Sequence, residues 1–295
     1  MLEFKNVEIE DREWVQEILD RSECASLEYN FTTMFIWQKI YNIKVAEKDG
    51  FLFSASGKTR MSFLFPTGGE NIEDALKALS EYCEKEGIPM NFYSVGKKEK
   101  EILEKLYPKK YIFKEARDSG DYVYTAEALR TLKGKKLSSK RNHINRFEEN
   151  NPDWVYEEMN EDNIKEVVDM HNAWCEMAEC ESDDGLAEET CAVRRAFKYF
   201  DELKLSGGVL RAGGKVVAFS IGDRLNKDTF LVHIEKAYAD IQGAYPMINK
   251  QFVLHNCDEY EFVNREDDTG DEGLRKAKLS YKPCEIIEKF YAKIQ

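Results

Sequence analysis

The sequence predicts an α+β protein built from two similar units, each with a mostly antiparallel sheet flanked by helices. The length of 295 residues is sufficient for two domains of ordinary size. Short apolar segments joined by turn signals such as Gly213-Gly214 are typical of strand meanders. The order of helices, meander, helix, strand, helix and strand is found in both halves. We therefore expect a duplicated fold, with domains at residues 1–130 and 131–295.

The first half opens with an amphipathic helix. Asp11 is a candidate N-cap, and Trp14, Val15, Ile18 and Leu19 follow at helical spacing. The predicted elements that follow are an aromatic helix at 29–40, a meander at 41–69, helices at 71–86 and 97–106, and strands at 90–95, 111–113 and 122–124. The aromatic side chains of helix 29–40 are expected in the core.

The second half begins after Gly134 and a cluster of lysines. Its predicted helices are 137–149, 161–177, 186–202 and 246–255, and its predicted strands are 154–157, a meander within 207–240, 260–264 and a last strand at 286–294.

The composition is that of an acidic globular protein. The net charge is −13 and 42% of residues are apolar. This charge disfavours general adhesion to nucleic acid or anionic lipid, so a polyanion would need a local basic patch. No run approaches the roughly 18 uncharged apolar residues of a membrane span. The first residues are acidic where a signal peptide would be apolar, so we expect a cytoplasmic protein.

The seven cysteines are scattered without a CxxC pair, which favours reduced thiols. His171, Cys175 and Cys180 can share part of a helix surface, but no fourth ligand stands at a usual spacing. We therefore expect no metal.

The segment 261–283 has the most distinctive chemistry. A short strand leads to an acidic, glycine-containing loop, and the chain then becomes basic before Pro283 ends any helix. A strand that ends in such a loop is a common way to position a site on a rigid scaffold. The alternative is a solvated helix with a charge-balanced loop before it.

The run N-R-E-D-D-x-G-x-x-G-L-R-K-A-K-L-S-Y-K-P, from Asn264 to Pro283, resembles the signature of the C-terminal domain of bacterial phosphatidylglycerol lysyltransferase and its stand-alone relatives. Those proteins are similar to Fem-type aminoacyl-tRNA-dependent peptidyltransferases. The resemblance implies tandem acetyltransferase-like (GNAT/Fem-like) domains, the second catalytic, and aminoacyl-tRNA as donor. It also implies roles in the site for Asn264, Arg265, Glu266 and Lys278.

The strand before residue 240 carries two candidate bases. Alternation places His233 and Glu235 on the face opposite Phe230, Val232 and Ile234. If the apolar face is the core, His233 or Glu235 can act as general base for an attacking amine or hydroxyl. The alternative for Glu235 is a salt bridge with a lysine.

Ester aminolysis also develops negative charge on the carbonyl oxygen and releases a ribose alkoxide. Lys278 and Tyr281, three residues apart, can supply a cation and a hydroxyl to them. Arg275 can grip a phosphate bidentately, and Lys282 joins it as a predicted binding residue.

A coenzyme A pyrophosphate loop is expected before the helix at 246–255, where the chain reads D-I-Q-G-A-Y-P. One glycine is present, but Tyr245 and Met247 replace the glycines that the acetyltransferase motif requires. Coenzyme A is therefore a doubtful donor, and Tyr245 is instead a predicted substrate-binding residue.

The stretch from Lys133 to Arg146 is basic and contains no acidic residue. Lys136, Lys140 and Arg141 are predicted to hold phosphates of a tRNA acceptor end or a nucleotide-linked donor. The alternative is a structural helix whose lysine stems pack at the domain join.

The sequence thus predicts an acyl- or aminoacyltransferase that acts on an amine or hydroxyl acceptor, either a small molecule or a lipid headgroup. The alternatives are a non-catalytic protein that binds an anionic ligand and a coenzyme A dependent N-acetyltransferase. Binding of coenzyme A would identify the latter.

Overall fold

The computed structural model describes residues 1–22 and 24–295. The chain divides into two compact units. Unit 1 comprises residues 1–121, 267–271 and 286–295, and unit 2 comprises residues 122–266 and 272–285.

The longer helices, in chain order, are α1 (Arg12–Asp20), α2 (Phe31–Tyr41), α3 (Ile72–Glu86), α4 (Lys97–Leu106), α5 (Ala126–Thr131), α6 (Ser138–Asn150), α7 (Ile164–Met177), α8 (Asp184–Lys198), α9 (Ala244–Asn256) and α10 (Glu272–Ser280). No helix among the described residues is both long and apolar enough to cross a membrane.

The strands are β1 (Lys5–Asn6), β2 (Lys44–Lys48), β3 (Phe51–Ser56), β4 (Ser62–Phe63), β5 (Phe92–Val95), β6 (Tyr111–Glu115), β7 (Asp121–Thr125), β8 (Val155–Glu158), β9 (Ser206–Ala212), β10 (Lys215–Arg224), β11 (Thr229–Ala237), β12 (Phe262–Asn264), β13 (Glu285–Ile287) and β14 (Phe290–Ile294). They form two seven-stranded sheets, ordered β1-β2-β3-β4-β5-β14-β6 and β13-β7-β12-β11-β10-β9-β8. Most neighbouring pairs are antiparallel, whereas β4–β5 and β11–β12 are parallel. The predicted pair of mostly antiparallel sheets with flanking helices is therefore observed.

Two strands belong to sheets other than those expected from chain order. We expected the strand at 122–124 to finish the first unit, but β7 pairs with β12 in the second sheet, with Val123 opposite Asn264. The predicted last strand at 286–294 is interrupted, and β14 lies between β5 and β6 in the first sheet. The observed units therefore differ from a division at residues 130 and 131. Local sequence patterns predict that a strand exists, but partner choice depends on edges that are distant in the chain.

The core of unit 1 is rich in aromatic side chains. Phe53, Phe63 and Phe92 from three strands pack with Leu76 and Leu79 of α3, and all five are at most 1% exposed. In α2 the side chains of Phe31, Phe35 and Ile36 are also buried, which confirms their predicted core role.

A buried lysine anchors the C-terminal segment of unit 1. Lys289 is 1% exposed, and its Nζ donates to Asp121 Oδ1 at 2.6 Å and to Glu28 Oε2 at 2.7 Å. Burial alone would lower the pKa of Lys289, but the two carboxylates outweigh this effect and raise it. Burial raises the pKa of Asp121 to about 6, although Lys289 opposes that shift.

The centre of unit 2 is the antiparallel β9–β10–β11 meander. The turn at Gly213-Gly214 joins β9 to β10, with Ala212 opposite Lys215, as the sequence predicts. Both glycines have positive φ, 58° and 71°, which suits a two-residue hairpin turn.

Gly243 allows α6 to pack against the start of α9. Its φ is 87°, and a Cβ atom at this position would lie 2.1 Å from the carbonyl oxygen of His143 and 2.9 Å from Cβ of Phe147. Because the nearest atom belongs to the backbone, no side-chain movement can relieve the contact. Glycine is therefore required here for close helix packing.

Candidate functional site

The candidate site lies in unit 2 where two parallel strands end. Glu235 is near the carboxyl end of β11, and Arg265 directly follows the last residue of β12. The carboxyl ends of parallel strands lie at the same edge of a sheet, which is a frequent place for ligand sites. Arg265 Nη2 donates to Glu235 Oε1 at 2.9 Å, and each side chain is 11% exposed.

Asn249 of α9 completes the contacts of this carboxylate. Its Nδ2 donates to Glu235 Oε2 at 2.9 Å. Both oxygens of Glu235 are therefore held, one by a guanidinium and the other by an amide. Asn249 is 1% exposed, so the carboxylate is fixed in a largely dry environment.

Tyr281 brings two cations close together. The Arg265 guanidinium carbon lies 4.8 Å from the Tyr281 ring centroid, and Lys140 Nζ lies 4.0 Å from the same centroid. Both distances are within the range of cation–π attraction. We refer to Lys140, Glu235, Asn249, Arg265 and Tyr281 as the Arg265 cluster.

The surroundings of the cluster shift the pKa values of two of its side chains. Burial, followed by the nearby charge of Arg265, lowers the pKa of Lys140 to about 8, and Glu235 opposes this shift. Burial raises the pKa of Tyr281, although Arg265 opposes it. The site thus combines a partly neutral amine, a phenol that stays protonated and a permanently charged guanidinium.

His233 is buried between two carboxylates. Its Nδ1 is 3.1 Å from Glu266 Oε1 and its Nε2 is 3.0 Å from Asp223 Oδ1, with a side chain 1% exposed. Burial would lower the pKa of His233, but the two carboxylates outweigh burial and raise it to about 9. A doubly paired imidazolium cannot accept a proton, which argues against the predicted role of His233 as general base.

Other residues of the segment from Asn264 to Pro283 mainly hold the backbone of Arg265 in place. Lys278 Nζ donates to the carbonyl oxygen of Arg265 at 2.6 Å, and Tyr124 Oη donates to the carbonyl oxygen of Lys278 at 2.8 Å. The side-chain oxygen of Asn264 accepts from the amide of Glu266 at 2.7 Å. Asn264, Glu266 and Lys278 therefore shape the turn after β12, in which Glu266 adopts φ of 58°.

Three further predicted site residues differ in their exposure. Arg275 is half-buried, Lys282 is exposed, and Tyr245 is half-buried at the start of α9. Burial raises the pKa of Tyr245, although hydrogen bonds with the backbone of Ala237 and the side chain of Trp174 oppose this shift.

The basic stretch contributes one side chain to the cluster and others to the surface. Lys140 reaches Tyr281, whereas Lys136 is exposed. Arg141 donates to the carbonyl oxygens of Leu132 and Gly134, so it stabilises the turn that precedes α6. The structural interpretation of this stretch therefore applies to Arg141, whereas phosphate binding by Lys136 and Lys140 stays a prediction.

Sequence reasoning missed Asn249 and Tyr124. Asn249 lies among the buried apolar residues Ile248, Phe252 and Val253 of α9. A polar residue on such an apolar helix face is the signal that could have identified it.

Two of the three candidate metal residues, His171 and Cys175 of α7, form a thiol–imidazole contact. His171 Nε2 lies 3.6 Å from Cys175 Sγ, and burial lowers the pKa of His171 to about 4. Within residues 1–22 and 24–295, no group of three or more His, Cys, Asp or Glu side chains is arranged to hold a metal ion.

The fold places the protein in a structural class. The tandem GNAT protein of the clavulanic acid biosynthesis pathway superposes with a TM-score of 0.50 and 11% identity, over 100% of this chain and 98% of that chain. The fold is therefore α+β with tandem acetyltransferase-like domains.

The chain belongs to the family described as phosphatidylglycerol lysyltransferase, C-terminal, whose model matches residues 19–293. This confirms the resemblance found between Asn264 and Pro283. The chain is 37% identical to a conserved protein of unknown function from Bacteroides thetaiotaomicron, with a TM-score of 0.96 over 100% of both chains. L-PGS from Bacillus licheniformis superposes with a TM-score of 0.67 and 16% identity, over 96% of this chain and 92% of that one.

A curated relative is an uncharacterized protein from Mycoplasmoides gallisepticum, 24% identical over 180 residues. The match covers 60% of this chain and 56% of that protein, so the chain spans just over half the length of this relative.

Proposed function

We propose that the chain transfers an aminoacyl group from aminoacyl-tRNA to an amine or hydroxyl acceptor, with the Arg265 cluster as the reaction centre. Membership of a family of aminoacyltransferases supports this class of reaction. The observation that carries the proposal is the placement of Lys140 against Tyr281 and beside Arg265, with its pKa lowered to about 8. An amine of this kind can exchange protons near neutral pH.

In the proposed step the acceptor nitrogen or oxygen attacks the ester carbonyl carbon. The new bond forms as the carbon–oxygen bond to the tRNA ribose breaks. Neutral Lys140 takes the proton that the acceptor loses, and the resulting ammonium returns it to the ribose oxygen. Protons therefore balance within one turnover, and no metal or redox partner takes part in this step.

Arg265 and Tyr281 stabilise the charge that develops on the carbonyl oxygen. Arg265 is a permanent cation in a site where water is largely excluded, which strengthens its attraction for an oxyanion. Because burial raises the pKa of Tyr281, the phenol acts as a hydrogen-bond donor. Lys278 acts as a positioning residue, because its amine holds the backbone of Arg265 at 2.6 Å.

The surface of α6 supports RNA as the carrier of the aminoacyl group. Lys136 is exposed and lies two residues before the start of α6, and Lys140 follows in the first turn of that helix. A cation there can contact backbone phosphate while Lys140 reaches the reaction centre.

The packing at Gly243 argues against coenzyme A. Acetyltransferases hold its pyrophosphate on the amides at the start of the corresponding helix, as the sequence comparison with their glycine motif implies. In this chain the backbone of His143 lies against Gly243 at that helix start. This close approach favours a donor that does not require the loop.

The deciding experiment offers the protein separate pools of charged tRNA and acyl-CoA and records which donor is deacylated when amine or hydroxyl acceptors are added. We expect acceptor-dependent deacylation of aminoacyl-tRNA. Lys140→Met should reduce this rate by about 10²–10⁴-fold, the usual contribution of a general base. Lys136→Glu should raise the KM for tRNA in a salt-dependent way, whereas Lys165→Glu, an exposed control on α7, should not.

Two outcomes would overturn the proposal. Consumption of acyl-CoA alone would identify an N-acetyltransferase. Tight binding of anionic ligands without turnover of any donor would identify a binding protein.

A further inference from the structure

Two buried polar atoms of the Arg265 cluster lack a hydrogen-bond partner within the described part of the chain. They are Oδ1 of Asn249 and Nη1 of Arg265. Asn249 is 1% exposed, so its carbonyl oxygen is also shielded from water. Folded proteins rarely leave such atoms unpaired, because the lost hydrogen bonds to water are not replaced. Both residues bind the same carboxylate, so a common explanation is required.

The orientation of the Asn249 amide is fixed by its neighbour. Its Nδ2 donates to Glu235 Oε2 at 2.9 Å. Rotating the amide by half a turn would place a carbonyl oxygen against a carboxylate oxygen, and neither of these atoms carries a hydrogen. The atom that remains unpaired is therefore an acceptor, while the unpaired Arg265 Nη1 is a donor.

A ligand that satisfies both atoms must present a donor and an acceptor close together. The α-amino ester at the end of an aminoacyl-tRNA does so, since its ammonium group donates and its carbonyl oxygen accepts. A simple acyl ester offers only the acceptor.

We infer that Asn249 recognises the free α-amino group of the donor, an inference that rests on the proposed function. Its Oδ1 accepts a hydrogen bond from the ammonium group, and Arg265 Nη1 donates to the carbonyl oxygen of the same ester. The Glu235 carboxylate holds the two residues together and adds negative charge beside the ammonium group. Asn249 is thus a specificity-determining residue that separates aminoacyl from plain acyl donors.

The test uses two stable adenosine derivatives of equal shape. They are 3′-(L-alanyl)amino-3′-deoxyadenosine and its isobutyryl counterpart, in which a methyl group replaces the ammonium group. Calorimetric titration of the wild-type protein should show the alanyl compound binding about 10–100-fold more tightly, as expected for a buried hydrogen bond to a charged group. Asn249→Ala should bring this ratio close to one.

One variant controls for the loss of a buried amide. Gln251→Ala removes a buried amide from the same helix outside the cluster and should keep the wild-type ratio. Circular dichroism checks that each variant is folded, and the wild-type ratio tests the inference without any substitution.

The possible failures are distinguishable. Equal binding of the two compounds by a wild-type protein that deacylates aminoacyl-tRNA would overturn the inference and leave the proposed function standing. Absence of aminoacyl-tRNA deacylation, together with binding of neither compound, would refute the proposed function and the inference with it. A wild-type ratio that survives Asn249→Ala would assign the recognition to another residue.

Discussion

The pH dependence of transfer tests the proposed role of Lys140 directly. With the pKa of Lys140 at about 8, the neutral fraction of its amine rises roughly 25-fold between pH 6.5 and 8.5. We expect kcat/KM for aminoacyl transfer to rise by a similar factor over this range and to level off above it. Lys140→Arg should remove this dependence, because its guanidinium stays charged.

Substitution of a neighbour should move the midpoint of this profile in a predictable direction. Arg265 is the second cause of the lowered pKa, after burial, so Arg265→Met should shift the midpoint to higher pH. The pKa of Lys140 falls by about 2.5, from 10.5 to about 8, and burial is the largest cause of this fall. The expected shift is therefore at most about one pH unit. Glu235→Gln should shift the midpoint to lower pH, because the carboxylate favours the charged amine.

The assay subtracts acceptor-free hydrolysis at each pH, since aminoacyl esters are labile in alkali. Carbon-13 NMR of the reductively methylated protein gives the pKa of Lys140 independently of activity, with Lys140→Arg used to assign its signal. A directly measured pKa near 10.5, or a midpoint that does not move in Arg265→Met, would refute the reasoning.

Three further predictions concern stability. Lys289→Met leaves two carboxylates buried without their cation, so it should lower the free energy of unfolding by about 3–5 kcal/mol in urea titrations. The control Lys293→Met, at an exposed position, should lower it by under about 0.5 kcal/mol. Equal effects of the two substitutions would contradict the buried network. The folded-state pKa of His233 is raised to about 9 from 6.5, so protonated His233 stabilises the folded state fully below pH 6.5 and this stabilisation is lost as pH rises through 9. The free energy of unfolding should therefore fall by up to about 3 kcal/mol over this interval. His233→Gln should flatten the slope of the free energy of unfolding against pH. Gly243→Ala should lower the free energy of unfolding by more than about 2 kcal/mol, because its new methyl group meets backbone atoms. The control Gly87→Ala, also at positive φ but in open space, should lower it by about 1 kcal/mol. Similar melting temperatures of the two variants would exclude the helix contact.

The positions of most helices and hairpins could be predicted from the sequence because they depend on local patterns. Apolar spacing predicted α3 and α9 to within two residues, and Gly213-Gly214 predicted the β9–β10 turn. The mixed signature from Asn264 to Pro283 indicated the family, since a long run of varied residue types is rarely matched by chance. Alternation in β11 also selected Glu235, although it ranked the neighbouring His233 equally with it.

The sequence by itself determined most of the secondary structure, the duplicated design and the family signature around Arg265, because these depend on residues close together in the chain. Only the tertiary structure decided that β7 and β14 exchange sheets, that His233 is enclosed by Asp223 and Glu266, and that Lys140 reaches Tyr281. Strand partners and shifted pKa values depend on burial and on charges brought together from distant segments. A local sequence pattern does not specify which distant segments come together in the fold.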